Sequence, residues 1–239
     1  MKEKQLNSEN RVRLCRLERL VGEEKINDLS TKCVAILGCG GVGGYVIEAL
    51  ARSGIGTLIL IDYDVIDESN INRQIIALES TVGMKKVDAF YERIMDINPN
   101  CNVIKIDSFI NEDNLDEIFN YKIDFFVDAC DTTTTKKAFI RTCLNRNIKF
   151  ISSMGTGNKF DPSKLEICDI RMTINDPLAR ILRKFIKDEK INKKVMVLSS
   201  SELPIKIEGR TPGSTAFVPS SAGLLIASYI VRTFIYGEK

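Results

Sequence analysis

The segment Leu37-Gly38-Cys39-Gly40-Gly41-Val42-Gly43-Gly44 carries a G-x-G-x-x-G spacing between an apolar run and an amphipathic one. Glycines there permit a tight turn and let backbone N–H groups approach a phosphate at a helix N-terminus. Asp62 closes the next apolar run, nineteen residues beyond Gly43, with Asp64 close behind. A carboxylate at that position can accept hydrogen bonds from ribose hydroxyls. These residues fit an NAD-dependent oxidoreductase and an ATP-dependent adenylating enzyme equally, and also a nucleotide-binding module without catalysis.

Cations for a triphosphate and a carboxylate for its metal would separate the first two. Asn70-Ile71-Asn72-Arg73-Gln74 follows the second apolar run, and Gly83-Met84-Lys85-Lys86 opens a later helical pattern. Val127-Asp128-Ala129-Cys130-Asp131 ends another run, with Thr132 to Thr135 opening its helix. Arg73 and Lys86 can neutralise phosphates. Asp131 can hold Mg²⁺, a hard cation that takes few carboxylates. Asp128 and Asp131 are both candidate proton acceptors. The chain has no histidine, which excludes an imidazole base, a Ser-His-Asp triad, a Cys-His dyad and a His-ligated metal.

The elements that must position these groups follow from the hydrophobic pattern. Residues 33–37, 57–62, 102–107, 123–129 and 148–153 read as buried strands, near-continuously apolar. Residues 43–53, 84–97, 111–119 and 132–146 read as the helices between them. This alternation predicts an α/β fold, a Rossmann-like and mostly parallel sheet with helices on both faces. A helix over 10–29 is expected to break near Gly22, and residues 1–9 to fray. Beyond residue 155 the rhythm changes. Strands at 165–171 and 195–200, a helix at 176–187, a polar loop at 201–214 and a helix at 219–236 form a C-terminal α+β extension on the same domain. The expected segments are therefore 1–30, 31–155 and 156–239.

The 239 residues carry 34 Lys+Arg against 32 Asp+Glu, too balanced for a nucleic-acid binder by bulk charge. Seven cysteines, none in a CxxC pair, and a start read as carrying no secretory leader predict free thiols in the cytoplasm. The apolar stretch Ser220–Val231 is cut by Arg232 and reads as core or dimer interface, with no membrane association expected.

Gly38-x-Gly40-Gly41-Val42-Gly43, Asp62-x-Asp64, Asn70-x-Asn72-Arg73-Gln74, Gly83-x-x-Lys86 and Asp128-x-x-Asp131 together resemble the ThiF/MoeB/HesA superfamily, relatives of the ubiquitin-activating enzymes. Arg52-Ser53-Gly54-Ile55-Gly56, Arg93-Ile94, Asn98-Pro99, Asp176-Pro177-Leu178-Ala179 and Gly213-Ser214 with Phe217-Val218-Pro219-Ser220 narrow the resemblance to the tRNA threonylcarbamoyladenosine dehydratases. The resemblance implies ATP-dependent cyclisation of a threonylcarbamoyl adenosine beside a tRNA anticodon, with release of AMP and pyrophosphate. It implies that Gly38, Gly40, Gly41, Val42 and Gly43 line the phosphates and Asp62 holds the ribose, with Asp64 and Gln74 in the same nucleotide site. Asn70, Arg73 and Lys86 would sit on the triphosphate and Asp131 on Mg²⁺. Arg16 matches an N-terminal arginine that reaches the partner subunit's site in relatives, which implies a homodimer with residues 1–30 completing the site in trans; Arg13 and Arg19 compete for that role.

On the same resemblance, residues 31–155 are the ATP-binding core and 156–239 the crossover and tRNA side. Sulfur-carrier activators among the relatives often have two CxxC pairs for zinc, and many ubiquitin-like-protein activators a crossover cysteine. Here no CxxC occurs and residues 169–239 contain no cysteine, which favours an RNA-borne carboxylate over a protein C-terminus. An adenylyltransferase acting on a sulfur-carrier protein remains the alternative, and a sulfurtransferase or cysteine desulfurase a possible partner. Finally, residues 171–194 hold eight basic groups (Arg171, Arg180, Arg183, Lys184, Lys187, Lys190, Lys193, Lys194) against Asp176, Asp188 and Glu189. That local excess is the electrostatic footprint expected for RNA phosphates, or else a solvated helix face.

Overall fold

The structure, a computed structural model, describes residues 8–209 and 211–237. Two N-terminal helices, α1 (Ser8–Val21) and α2 (Glu23–Leu29), meet at Gly22, whose φ of +88° breaks the helix where the sequence predicts. Seven strands follow: β1 (Cys33–Leu37), β2 (Thr57–Ile61), β3 (Asn102–Ile106), β4 (Phe125–Asp128), β5 (Phe150–Ser153), β6 (Leu165–Asp169) and β7 (Met196–Ser200). Between and after them lie α3 (Gly43–Arg52), α4 (Lys86–Ile97), α5 (Leu115–Ile118), α6 (Thr133–Arg146), α7 (Pro177–Asp188) and α8 (Phe217–Tyr236).

The strands form one sheet in the order β3-β2-β1-β4-β5-β7-β6, parallel except for β6, which runs antiparallel to β7. The expected α/β architecture is therefore present, and the C-terminal strands extend the same sheet. The chain steps outward from β1 through β2 to β3, then returns to β4 on the other side of β1. That reversal opens a crevice beyond the carboxyl ends of β1 and β4, where open α/β sheets take ligands.

Strand interiors are apolar because both faces are covered. Val34, Ile36, Leu58 and Leu60 face a core with Val46, Leu50, Phe90, Ile226 and Ile230 from α3, α4 and α8. Ala35, Ile59, Ile61 and Phe126 face the other core, with Phe139, Leu182 and Phe185 from α6 and α7. Each fully buried side chain of this size contributes about 1.5–3 kcal/mol relative to exposure. By length and composition α8 would also pass for a membrane span, but half of its most apolar window is buried. Its Gly223 packs so tightly on α3 that an added Cβ would lie 2.4 Å from the Val42 carbonyl.

Several boundaries differ from the pattern. The helix expected from residue 84 starts at Lys86, because Lys85 bridges to Val65 and the Met84 carbonyl accepts from the Ile66 amide. The helix expected at 111–119 shrinks to Leu115–Ile118, since the side chains of Asn111 and Asn114 cap each other's backbone amides in a turn. β6 stops at Asp169, whose carboxylate accepts from the Arg171 amide and starts a 3-10 turn. Of the segment expected to fray, residues 1–7 lie outside the described residues, and 8–9 belong to α1.

Candidate nucleotide site

The crevice is a cavity of about 720 Å³. The glycine loop forms its floor. Gly38 has φ +91°, and an added Cβ would lie 2.7 Å from the Ala129 carbonyl, so the ends of β1 and β4 meet only over a glycine. Gly43 faces away from the cavity; its Cβ would lie 1.8 Å from the Gly38 carbonyl, and its bareness seats α3 on the loop. Gly38, Gly40, Gly41 and Val42 do line the cavity. Among the described residues, the amides of Gly40, Gly41 and Val42 have no intramolecular acceptor. They are the unsatisfied donors that suit an anion at a helix N-terminus.

Asp62 directly follows β2 and ties it to this loop. Its Oδ2 accepts from the Cys39 amide at 2.6 Å and its Oδ1 from the Asp64 amide at 2.9 Å. Burial raises the Asp62 carboxyl above the usual aspartate range, against the opposing charge of Lys86 and these two amides. Lys86, in the first turn of α4, is buried; its Nζ donates to Asp64 Oδ2 at 2.6 Å and lies 4.0 Å from Asp62 Oδ1. The cation is thus fixed at the cavity wall between two carboxylates.

A 3-10 turn, Glu68–Asn70, carries the next groups. The Asp67 carboxylate caps its start, and Asn70 Oδ1 accepts from the Asp67 amide in return. Arg73 is half-buried, and its Nη1 donates to the Ser69 carbonyl at 2.7 Å and Asn72 Oδ1 at 2.9 Å. Gln74 is buried, and its Oε1 has no partner among the described residues. A buried orphan acceptor on a cavity wall can take a donor from a bound molecule or from an ordered water.

Asp131 is exposed in the turn after β4. Beneath that turn lies a network that sequence reasoning missed. Lys136 and Asp128 are wholly buried, with Nζ 2.9 Å from Asp128 Oδ2. Lys136 also donates to the Ser153 carbonyl at 2.8 Å, and the Ser152 hydroxyl to Asp128 at 2.6 Å. Asp128 Oδ1 accepts from the Cys130 amide at 3.2 Å, which shapes the turn presenting Asp131. Asp128 is therefore not a proton acceptor for a substrate: it is sealed from the cavity and paired. The signal in the sequence was an Asp and a Lys eight residues apart across a strand–helix turn, indistinguishable there from surface charges.

The far wall comes from the C-terminal third. Thr211 to Ser214 line the cavity as a strap held at Gly213 and Ser214. Asn158, at φ +57°, pins it by donating its amide to the Gly213 carbonyl and accepting the Gly213 amide at 2.7 Å. Asn72 Nδ2 donates to the Ser214 carbonyl from the other side. Pro219 of α8 lies against Gly41. Of the residues singled out by sequence, Asp62, Asp64, Asn70, Arg73, Gln74, Lys86 and Asp131 all meet here. Arg16 does not: it is exposed on α1, outside the cavity lining.

The group set fits a nucleoside triphosphate: backbone amides and two cations for phosphates, the Asp62 carboxylate after β2 for ribose hydroxyls and the orphan Gln74 acceptor. Among the described residues, no group of three or more Cys, Asp or Glu could hold a metal alone. Asp131 with phosphate oxygens suits Mg²⁺, which keeps waters and takes one or two carboxylates.

A parallel sheet reversing at β1 and β4, with a glycine loop, an acid after β2 and two cations around one cavity, is the architecture of a nucleotide-binding α/β protein. The chain belongs to the ThiF family, whose profile matches residues 13–199. It is similar to the tRNA threonylcarbamoyladenosine dehydratase of Bacillus subtilis, 42% identical over 92% of this chain and 93% of that protein. It is 38% identical to the Escherichia coli protein of the same name, over 72% of this chain and 64% of that one. The crystal structure of the E. coli tRNA N6-threonylcarbamoyladenosine dehydratase in complex with ATP superposes with a TM-score of 0.92 and 31% identity, covering 98% of both chains.

Proposed function

We propose that this chain is an ATP-dependent tRNA threonylcarbamoyladenosine dehydratase. The observation that carries the reading is the single cavity uniting the glycine loop, Asp62, Lys86 and Asp131 beneath the 211–214 strap. The near end-to-end similarity to dehydratases supports the substrate.

The threonyl carboxylate of the modified adenosine attacks the α-phosphorus of ATP, and pyrophosphate leaves. Arg73 and Lys86 stabilise the charge that develops on the phosphates, with the loop amides in place before the reaction begins. Mg²⁺ held at Asp131 would supply further charge neutralisation. The substrate's own carbamoyl group then attacks the activated carboxyl and closes a five-membered ring. One carboxylate oxygen departs on AMP, so the substrate loses the elements of water. An internal nucleophile needs no enzyme nucleophile, because held geometry alone supplies several kcal/mol. The cysteines fit this: burial raises the Cys39, Cys130 and Cys143 thiols, pushes Cys101 up to about 12, and together with Asp124 raises Cys33 to about 11. None of these is a ready thiolate.

The reading includes a cytoplasmic homodimer in which Arg16 completes the partner's site; exposure of Arg16 away from its own cavity supports it. Incubation with ATP·Mg and tRNA bearing threonylcarbamoyladenosine, followed by nucleoside mass spectrometry, tests the reaction. The expected product is the modified adenosine less one water, with one AMP per ring. Pyrophosphate release with an unchanged nucleoside would overturn it in favour of another adenylation substrate.

A further inference from the structure

The eight cations between residues 171 and 194 are not equivalent. Arg171 is occupied by the Asp169 carboxylate and by the carbonyls of Ile191 and Lys193. Arg183 donates to the carbonyl and hydroxyl of Thr173. Lys193 donates to the Leu144 carbonyl at 3.1 Å. These three fasten loops.

Arg180, Lys184 and Lys187 fasten nothing. All three are exposed, and among the described residues none has an ion-pair or hydrogen-bond partner. Asp188, the acid beside them, makes no ion pair with Lys184. Their i, i+4, i+7 spacing sets them in one stripe on α7, opposite the buried Ala179, Leu182, Phe185 and Ile186. The stripe is about 10 Å long at 1.5 Å rise per residue. Like charges at i, i+4 cost helix stability, and no ion pair on the helix compensates them.

The stripe also has a direction. Leu178, two residues before Arg180, lines the cavity. Asp176 caps α7 through the Ala179 amide at 2.8 Å and accepts the Gly155 amide at 3.1 Å, fixing the helix start against the cavity wall. The N-terminal end of the stripe therefore lies two residues from a side chain of the cavity wall.

We propose that Arg180, Lys184 and Lys187 contact successive backbone phosphates of the RNA strand whose nucleoside enters the cavity. This rests on the functional reading above. The observations favour RNA over an acidic protein because the helix that carries the stripe starts beside the cavity, with Leu178 in its wall, where on that reading the RNA-borne carboxylate reacts.

The test is the full-length Arg180→Gln/Lys184→Gln/Lys187→Gln variant against wild type. Binding of tRNA bearing threonylcarbamoyladenosine is followed by fluorescence anisotropy across a potassium chloride series. Loss of three phosphate contacts should lower the slope of log affinity against log salt by about two and weaken binding on the order of tenfold. KM for tRNA should rise while kcat at saturation and the thermal shift with ATP·Mg stay unchanged. Unchanged affinity and slope would overturn the proposal and leave an acidic protein as the stripe's occupant. If wild-type protein releases AMP but converts no RNA, the functional reading falls and this proposal with it. If wild type converts RNA and only the variant result is negative, the stripe alone is removed.

Discussion

Lys136 Nζ lies 2.9 Å from Asp128 Oδ2, and both side chains are wholly excluded from solvent directly beneath the turn that carries Asp131. A pair of this kind is weak evidence for net stability, but breaking it strands a buried charge. Lys136→Met should cost about 3–5 kcal/mol. The double variant Lys136→Met/Asp128→Asn should be less destabilised than the sum of its parents by more than about 1 kcal/mol. Urea denaturation of the four proteins measures this directly. Strict additivity would show that the two charges are not coupled.

Gly38 and Gly83 form a matched comparison. Both have positive φ, +91° and +89°, but an added Cβ meets the Ala129 carbonyl at 2.7 Å in the first and nothing within 4 Å in the second. Gly83→Ala should cost about 1–2 kcal/mol, the backbone penalty alone. Gly38→Ala carries the same penalty plus a clash that forces β1 from β4, so it should also lose the thermal shift with ATP·Mg. Equal melting temperatures for the two variants would contradict the close approach.

Glu48 on α3 is buried, which by itself raises its carboxyl. Hydrogen bonds from Arg93 at 2.6 Å and Arg52 at 2.7 Å outweigh burial and hold it below the usual value of 4.5. Its folded-state affinity for a proton is therefore lower than in the unfolded chain. Its contribution is fully present above pH 4.5 and is lost as pH falls through the depressed folded value. Wild type should therefore lose more stability than Glu48→Gln as the solution is taken from about pH 5 to about pH 3, because the variant has no proton to take up at this site. The stability advantage of wild type should shrink steadily across that window. Parallel pH curves in urea titration would refute the linkage.

The sequence pattern locates β1, the glycine loop, α3, β2 and Asp62 because each follows from local chemistry: apolar strands, bare turns and an acid at a strand end. Arg73, Lys86 and Asp131 were legible as a set through their places after strands. What the pattern does not carry is side-chain direction. Asp128 and Asp131 are three residues apart, yet one is sealed under the turn and the other exposed on it. Lys136 reads as a helix-surface cation and is wholly buried. Gln74 is named only as part of a motif, and its orphan oxygen appears once the wall is built. The Asn158–Gly213 hydrogen bonds that hold the strap span 55 residues, beyond any local signal.

Arg16 is exposed on α1 and does not line its own chain's nucleotide cavity. In a C₂ dimer, each site can receive one arginine from the partner subunit. An arginine supplied in trans can raise turnover by three or more orders of magnitude, roughly 10³ or above, through transition-state charge. Asp131 is exposed too, so Arg16→Ala and Asp131→Ala should both fold with near wild-type melting temperatures while losing nearly all turnover. Mixing them after subunit exchange should restore activity. In a mixed dimer, one site carries both defects and the other neither, so each heterodimer recovers up to about half of wild-type activity. Activity against mixing ratio should peak at equal amounts. If exchange is verified by mass spectrometry and the mixture stays as inactive as its parents, Arg16 does not reach across a two-fold interface.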